Sequence, residues 1–180
     1  IQHASDKILK AMGRRTNNAE LRNIISKLRK EIPDICLRTT LITGFPGETE
    51  EDHQILLDFI DEMEFDRLGV FTYSPEEDTK AASLDNQVDE EVKLCRKDEI
   101  MELQQEISMD KSERLVGKEI EVIIEGKASD EDVYVGRSYM DAPSVDGYVF
   151  INSEEELMSG DFAKVRIVKA MEYDLIGDLI

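Results

Sequence analysis

Apolar residues along the first two thirds of the chain recur at intervals of three and four, and two short β-branched runs interrupt that rhythm. Ile8, Leu9 and Met12 share one face of a short helix that Ser5 can cap and Gly13 ends. Leu21, Ile24, Ile25 and Leu28 stand at i, i+3, i+4 and i+7 of a second helix, capped by Asn17 or Asn18 and stopped at Pro33-Asp34. Residues 37–43 read as a strand that stops at the turn Gly44-Phe45-Pro46-Gly47. Thr49 with Asp52 three residues on is a capping-box pattern. It opens a helix over about residues 50–63 whose apolar stripe is Ile55, Leu56, Phe59, Ile60 and Met63. Residues 67–74 form a second strand, and this order of elements predicts parallel βα units.

An acidic, turn-rich loop over 74–79 leads to a long helix over about 89–113, with Val92, Cys95 or Met101, Leu103 and Ile107 on its apolar side. From Gly117 the period shortens to two. Strand candidates at 119–125, 133–138, 148–151, 163–168 and 175–180 are divided by Gly, Asp, Asn and Ser, which fits a small closed barrel of OB-like size. The expected division is βα units over 1–85, a connecting helix over 86–116 and a five-stranded antiparallel barrel over 117–180.

The strand–turn–helix at Gly44 is the first candidate for chemistry. Two glycines three apart let the backbone turn, and the expectation is that their amides stay uncovered. Strand ends that meet helix starts are where α/β folds place small ligands. The same residues also make an ordinary connection, and the motif alone leaves both readings open.

Composition narrows the choice. An apolar content of 41% in 180 residues supports a real core. No apolar run approaches the ~20 residues of a membrane span. The N-terminus shows no secretory pattern and no initiator Met, so the chain reads as a piece of a longer cytoplasmic protein. Cys36 and Cys95 are too few for a disulfide scaffold and too far apart for a Cys-x-x-Cys site, so they read as cytosolic thiols. The net charge is −19, with 15 acidic against 6 basic side chains over 117–180 and 26 against 16 over 1–116. Such a surface repels nucleic-acid backbones and steers in basic partners, although acidity also serves solubility alone.

Gln2-His3-x-Ser5, Ile8-Leu9-x-x-Met12-x-Arg14, Arg38-Thr39, Gly44-Phe45-Pro46-Gly47-Glu48-Thr49 and Phe71-x-Tyr73-Ser74 occur here in that order. Together they resemble the later half of the radical SAM barrel in methylthiotransferases. The five-stranded tail is similar to the TRAM domain of those enzymes. Val135-Gly136-Arg137 with Asp141-Ala142-Pro143-Ser144-Val145-Asp146-Gly147 resembles the RimO subgroup, which acts on an aspartate of small-subunit ribosomal protein twelve. The resemblance covers essentially the whole chain. It implies an α/β fold: later βα units of a partial, TIM-like radical SAM barrel, followed by the TRAM barrel.

The resemblance also implies S-adenosyl-L-methionine (SAM) and two [4Fe-4S] clusters in the intact enzyme. A radical derived from SAM takes a hydrogen from the aspartate β-carbon, sulfur is inserted there, and a second SAM gives the methyl group. By motif match Gly44, Phe45 and Gly47 lie along the adenine and ribose. Gln2, His3 and Ser5 face the same cavity, and Tyr73 and Ser74 close it. The Cys-x-x-x-Cys-x-x-Cys loop of such enzymes is absent here, so the chain alone is expected to be inactive and to depend on the missing N-terminal part. Simpler roles stay open. Phe45 can plug the barrel end, His3 can be a satisfied turn histidine, and Arg14-Arg15 can be a helix-end charge pair. Arg38 can point in or out, and His53, among charges on a helix, is expected at the surface. Charge favours a basic ribosomal-protein partner over tRNA. The rivals are a tRNA methylthiotransferase of the MiaB type and a non-catalytic acidic module that binds basic proteins.

Overall fold

A computed structural model describes residues 1–128 and 133–180. The chain divides into two compact units, Ile1–Gln104 and Gln105–Ile180, with the boundary inside the long helix rather than at either of its ends.

The first unit runs α1 (Asp6–Ala11), α2 (Asn18–Glu31), β1 (Arg38–Thr43), α3 (Glu50–Met63), β2 (Arg67–Thr72) and then α4 (Glu90–Glu113), whose first part belongs to it. β1 and β2 are parallel, in register from Arg38 opposite Arg67 to Thr43 opposite Thr72. Outside β1, the Ile42 N–H donates to the Gln2 carbonyl at 3.0 Å, so the first residues cover part of that strand edge. Arg38 is exposed. Asn17, not Asn18, caps α2, through a reciprocal pair with Glu20, and Thr49 caps α3 through the same kind of pair with Asp52. Ser5 precedes α1 but makes no side-chain cap bond, because its hydroxyl is used elsewhere. Ile8, Leu9, Leu41, Leu56, Phe59, Ile60 and Phe65 are fully buried and form the apolar interior.

The buried face of α4 departs from the expected stripe. Of the expected members Ile107 is buried, Met101 and Leu103 are half-buried and Val92 and Cys95 are exposed, while Lys93, Arg96, Ile100 and Gln104 are buried instead. Each buried polar member has found a partner: the Gln104 amide, for instance, donates to the Phe65 carbonyl at 2.9 Å. Burying polar groups is costly unless hydrogen bonds replace the water they lose.

The second unit holds β3 (Glu119–Lys127), β4 (Val133–Ser138), β5 (Val149–Asn152), β6 (Phe162–Ala170) and β7 (Leu175–Leu179), closed in the order β3-β4-β5-β7-β6. Four pairings are antiparallel, but β5 and β7 run parallel, so the barrel is mixed rather than purely antiparallel. Strand alternation had located the strands, but pairing between strands separated by β6 leaves no local trace. Alternate residues point inward, and Val122, Ile124, Val149, Ile151, Val165 and Ile167 fill the centre with almost no exposure. At Gly177 a side chain would collide with Val165 Cγ1 and lie 2.8 Å from the Arg166 carbonyl oxygen, so only glycine lets β7 approach β6 so closely.

Candidate functional site

The turn after β1 depends on its two glycines. Gly44 and Gly47 have φ of 72° and 86°, in the left-handed region where a side chain is strained. Glu48 then reaches back: its Oε2 accepts from the Gly44 N–H at 2.8 Å and the Phe45 N–H at 3.3 Å. The Gly47 N–H donates to the Asn86 carbonyl at 2.7 Å, and the Thr49 N–H to Asp52 Oδ2 at 2.9 Å. The expectation of uncovered amides is therefore corrected, because the protein supplies its own carboxylate to the donors that an anionic ligand would use. Backbone access differs at the two glycines. The Lys93 side chain covers Gly44 so closely that a Cβ there would collide with it, whereas nothing lies within 4 Å of the Cβ position at Gly47.

The carboxylate of Glu48 is itself fully buried. Arg96, on α4, answers it: Nη1 donates to Glu48 Oε1 at 3.0 Å and to the Glu48 carbonyl at 3.4 Å, while Nη2 meets Glu50 Oε2 at 3.3 Å. His3 Nδ1 accepts from the Ser5 N–H at 3.0 Å, which leaves the ring proton on Nε2, 3.5 Å from Glu48 Oε2. That distance is too long for a good hydrogen bond, and Nε2 has no other partner.

A second carboxylate lies one turn into α3. Asp52 Oδ1 accepts from the Ser5 hydroxyl at 2.6 Å, and Oδ2 from the Lys7 ammonium at 2.6 Å and the Thr49 hydroxyl at 2.7 Å. Lys7 also donates to the Gly47 carbonyl at 2.8 Å. Burial alone would raise the Asp52 carboxyl, but the bonds from Lys7, Ser5 and Thr49 outweigh it and hold the group well below the usual carboxylate range.

The ends of the two strands carry an aromatic pair. Phe45 and Tyr73 meet edge to face with centroids 5.3 Å apart, and the Tyr73 N–H bonds the Thr43 carbonyl at 2.8 Å. Lys93 Nζ lies 5.6 Å from the Tyr73 ring centroid and donates to the Tyr73 carbonyl at 3.0 Å and to Glu90 at 3.1 Å. Tyr73 Oη is buried without a partner.

His53 is a correction: it is fully buried, not at the surface. Its Nε2 meets Glu99 Oε2 at 2.7 Å, so α4 supplies the partner that the local sequence lacks. Hydrogen bonding from His53, opposed by burial, holds the Glu99 carboxyl below its usual range. The bond from the Cys95 thiol to Glu99 pushes that thiol up, which makes it a poor nucleophile.

The structure thus gathers Gly44, Phe45 and Tyr73 at the strand ends, with His3 and Ser5 beneath them against Glu48 and Asp52. Gln2 joins through its backbone carbonyl, and Ser74 is exposed after β2. Sequence reasoning missed Glu48, Lys93 and Arg96. The Glu48 bonds follow a reach of three and four residues that could have been anticipated, whereas Arg96 is 48 residues away and carries no local signal.

The barrel presents a different surface. Arg137, Lys164 and Arg166 share its β3–β4–β6 face, and β3 matches each with a glutamate. Arg137 bonds Glu125 at 2.8 Å, Arg166 bonds Glu119 at 2.8 Å, and Lys164 stands opposite Glu121. A cavity of about 430 Å³ is lined by Lys127, Tyr134, Ser153, Glu154, Glu155 and Glu156. Asp130, Glu131 and Asp132, part of the acidic count, lie outside the described residues.

Residues 1–60 match the radical SAM superfamily model and residues 116–180 the TRAM domain model. A protein of Lachnoclostridium phytofermentans named ribosomal protein uS12 methylthiotransferase RimO is 60% identical over 98% of the chain and 40% of its own length. Proteins of the same name in Pelotomaculum thermopropionicum and Clostridioides difficile are 54% and 50% identical over the whole chain, which spans 41% and 40% of them. Over its whole length the chain is thus similar to proteins named RimO, with a radical SAM match at its start and a TRAM domain at its end. It spans about two fifths of the length of the curated relatives it matches.

The match of residues 1–60 to the radical SAM superfamily implies SAM and an iron–sulfur cluster, and the residues present fit the two unequally. The Phe45–Tyr73 pair and the orphaned Tyr73 Oη suit a flat heteroaromatic group with polar edges. No cluster fits the chain's own thiols: Cys36 and Cys95 are its two cysteines, and no group of three or more His, Cys, Asp or Glu among the described residues could hold a metal. No helix among the described residues is long and apolar enough to cross a membrane.

Proposed function

We propose that the chain is part of a methylthiotransferase that modifies an aspartate of a basic small-subunit ribosomal protein; its relatives are named ribosomal protein uS12 methylthiotransferase RimO. The observation that carries this reading is the aromatic pair at the ends of two parallel strands, set above a buried polar cluster in a chain 60% identical to such a relative. Phe45 and Tyr73 hold the adenine of SAM, Gly47 gives the ribose backbone to lie on, and His3 and Ser5 brace the turn from below. In this reading Gln2 and Ser74 complete the same nucleoside site. SAM, when bound, supplies the hydrogen-abstracting radical and, from a second molecule, the methyl group. The chain's part is to position the nucleoside and exclude water, while the cluster thiolates come from the rest of the protein.

The acidic barrel recognises the basic substrate. Its β3–β4–β6 cations are matched by glutamates, so that face offers a polyanion little. The cavity lined by Glu154, Glu155 and Glu156 against the single cation Lys127 keeps an acidic balance that suits a cationic side chain. The test is the full-length protein, reconstituted with its clusters and given SAM, a sulfur source and the ribosomal protein. The expected product is an aspartate whose β-hydrogen is replaced by a methylthio group, read by mass spectrometry; the 180-residue chain alone gives none. Binding to the ribosomal protein weakens with salt while tRNA is not retained. Substantial tRNA retention, or modification of tRNA instead of the protein, overturns the reading.

A further inference from the structure

We infer that Arg96 is a positioning residue for the nucleoside site, acting through Glu48 on the turn that carries Phe45. The inference rests on the proposed function for the identity of the nucleoside, but not for the network itself. Glu48 is fully buried, and one of its oxygens holds both the Gly44 and Phe45 amides, so it sets the direction in which the Phe45 ring leaves the backbone. A buried carboxylate keeps its charge only with a compensating cation. Arg96, itself buried, is the cation that bonds it, at 3.0 Å through Nη1, and the fork also grips the Glu48 carbonyl and Glu50. His3 Nε2, at 3.5 Å, is too distant to share that hold. Helix α4 thereby fixes a turn that lies 48 residues earlier in the chain, where two amides share one oxygen of the Glu48 carboxylate.

Without Arg96 the Glu48 carboxylate is left buried and unpaired. It then takes up a proton or swings toward solvent, and either change loosens its hold on the two amides. The ring of Phe45 loses its fixed edge-to-face packing on Tyr73. The cluster acts on the turn beside the nucleoside and not on the reacting atoms, so on this inference the loss falls on binding of the nucleoside and not on the chemistry that follows.

The experiment uses the full-length reconstituted protein and reads two quantities: the equilibrium Kd for SAM by titration, and the turnover rate at saturating SAM. In Arg96→Gln the Kd rises about tenfold, the equivalent of about 1.4 kcal/mol, while the saturated rate stays within about twofold. Glu48→Gln/Arg96→Gln binds SAM more tightly than Arg96→Gln alone, because an amide carbonyl still accepts from both backbone donors and no charge is stranded. An unchanged Kd in folded Arg96→Gln, or a fallen rate with an unchanged Kd, overturns the inference. Hydrogen exchange at Gly44 and Phe45 is the independent arm, and it needs no variant that folds. Both amides are protected in the unliganded wild type, and exchange as fast as in an exposed loop there sinks the network. Wild-type protein that shows this protection but binds no SAM instead sinks the proposed function.

Discussion

The two units bury different things. Inside the first lie His3, Ser5, Glu48, Asp52, His53, Lys93, Arg96 and Gln104; the second also buries Ser108, Ser138 and Asp141, but the centre of its barrel is Val, Ile, Leu and Ala with one Tyr. The barrel is held by packing, which is local in its demands and indifferent to pH. The first unit is held in part by paired charges and hydrogen bonds, which specify one geometry at the strand ends but tolerate no missing partner. A binding site gains from the second arrangement, because a turn held by directional bonds presents its aromatic ring in one place.

The largest effect that sharpens this contrast is a cavity in the barrel. Ile151 has no exposure, and Ile151→Ala is expected to cost about 2–5 kcal/mol in urea unfolding, at neutral and mildly acidic pH alike. Next comes Asp52→Asn in the first unit. It removes the charge from the acceptor of Lys7, Ser5 and Thr49 and is expected to cost about 1–3 kcal/mol at pH 7. Its signature is the pH dependence. Asp52 binds its proton less readily folded than unfolded, so the unfolded chain holds more protons near the ordinary carboxylate pKa of about 3.9. Stability from this group is thus complete above that value and is lost as pH falls below it. The asparagine variant is expected to show a shallower acid loss than the wild type, and equal slopes would break the comparison. The smallest effect is Arg166→Gln, which opens a half-exposed pair with Glu119 and is expected to change stability by less than about 1 kcal/mol.

Much of the fold was written locally. The Asn17 and Thr49 caps, the turn glycines and the alternation in the barrel strands each announce themselves within a few residues. What stayed hidden is what depends on distant chain. The buried side of α4 is Lys93, Arg96, Ile100 and Gln104, and no hydrophobicity pattern picks out such a face. His53 sits among charges in sequence, yet it is buried because Glu99 meets it from another helix. Phe45 and Tyr73 could be named as candidates from their motifs. That the amides beside Phe45 are taken by Glu48 follows only from where the carboxylate folds. The parallel pairing of β5 with β7 was hidden for the same reason, since the sequence marks strands and not their neighbours.

That pairing has a consequence for how the protein is made. β7 lies between β5 and β6 and is bonded to both, so the cylinder has a gap until residues 175–179 have emerged from the ribosome. During synthesis β3, β4, β5 and β6 wait as an incomplete sheet with two open margins. Of the two pairings that close it, β6–β7 is a local hairpin, while β5–β7 joins Val149 to Leu175 and must first lose the entropy of the loop between them. The final strand acts as a latch, and the nascent protein passes through an aggregation-exposed interval that ends only when it engages.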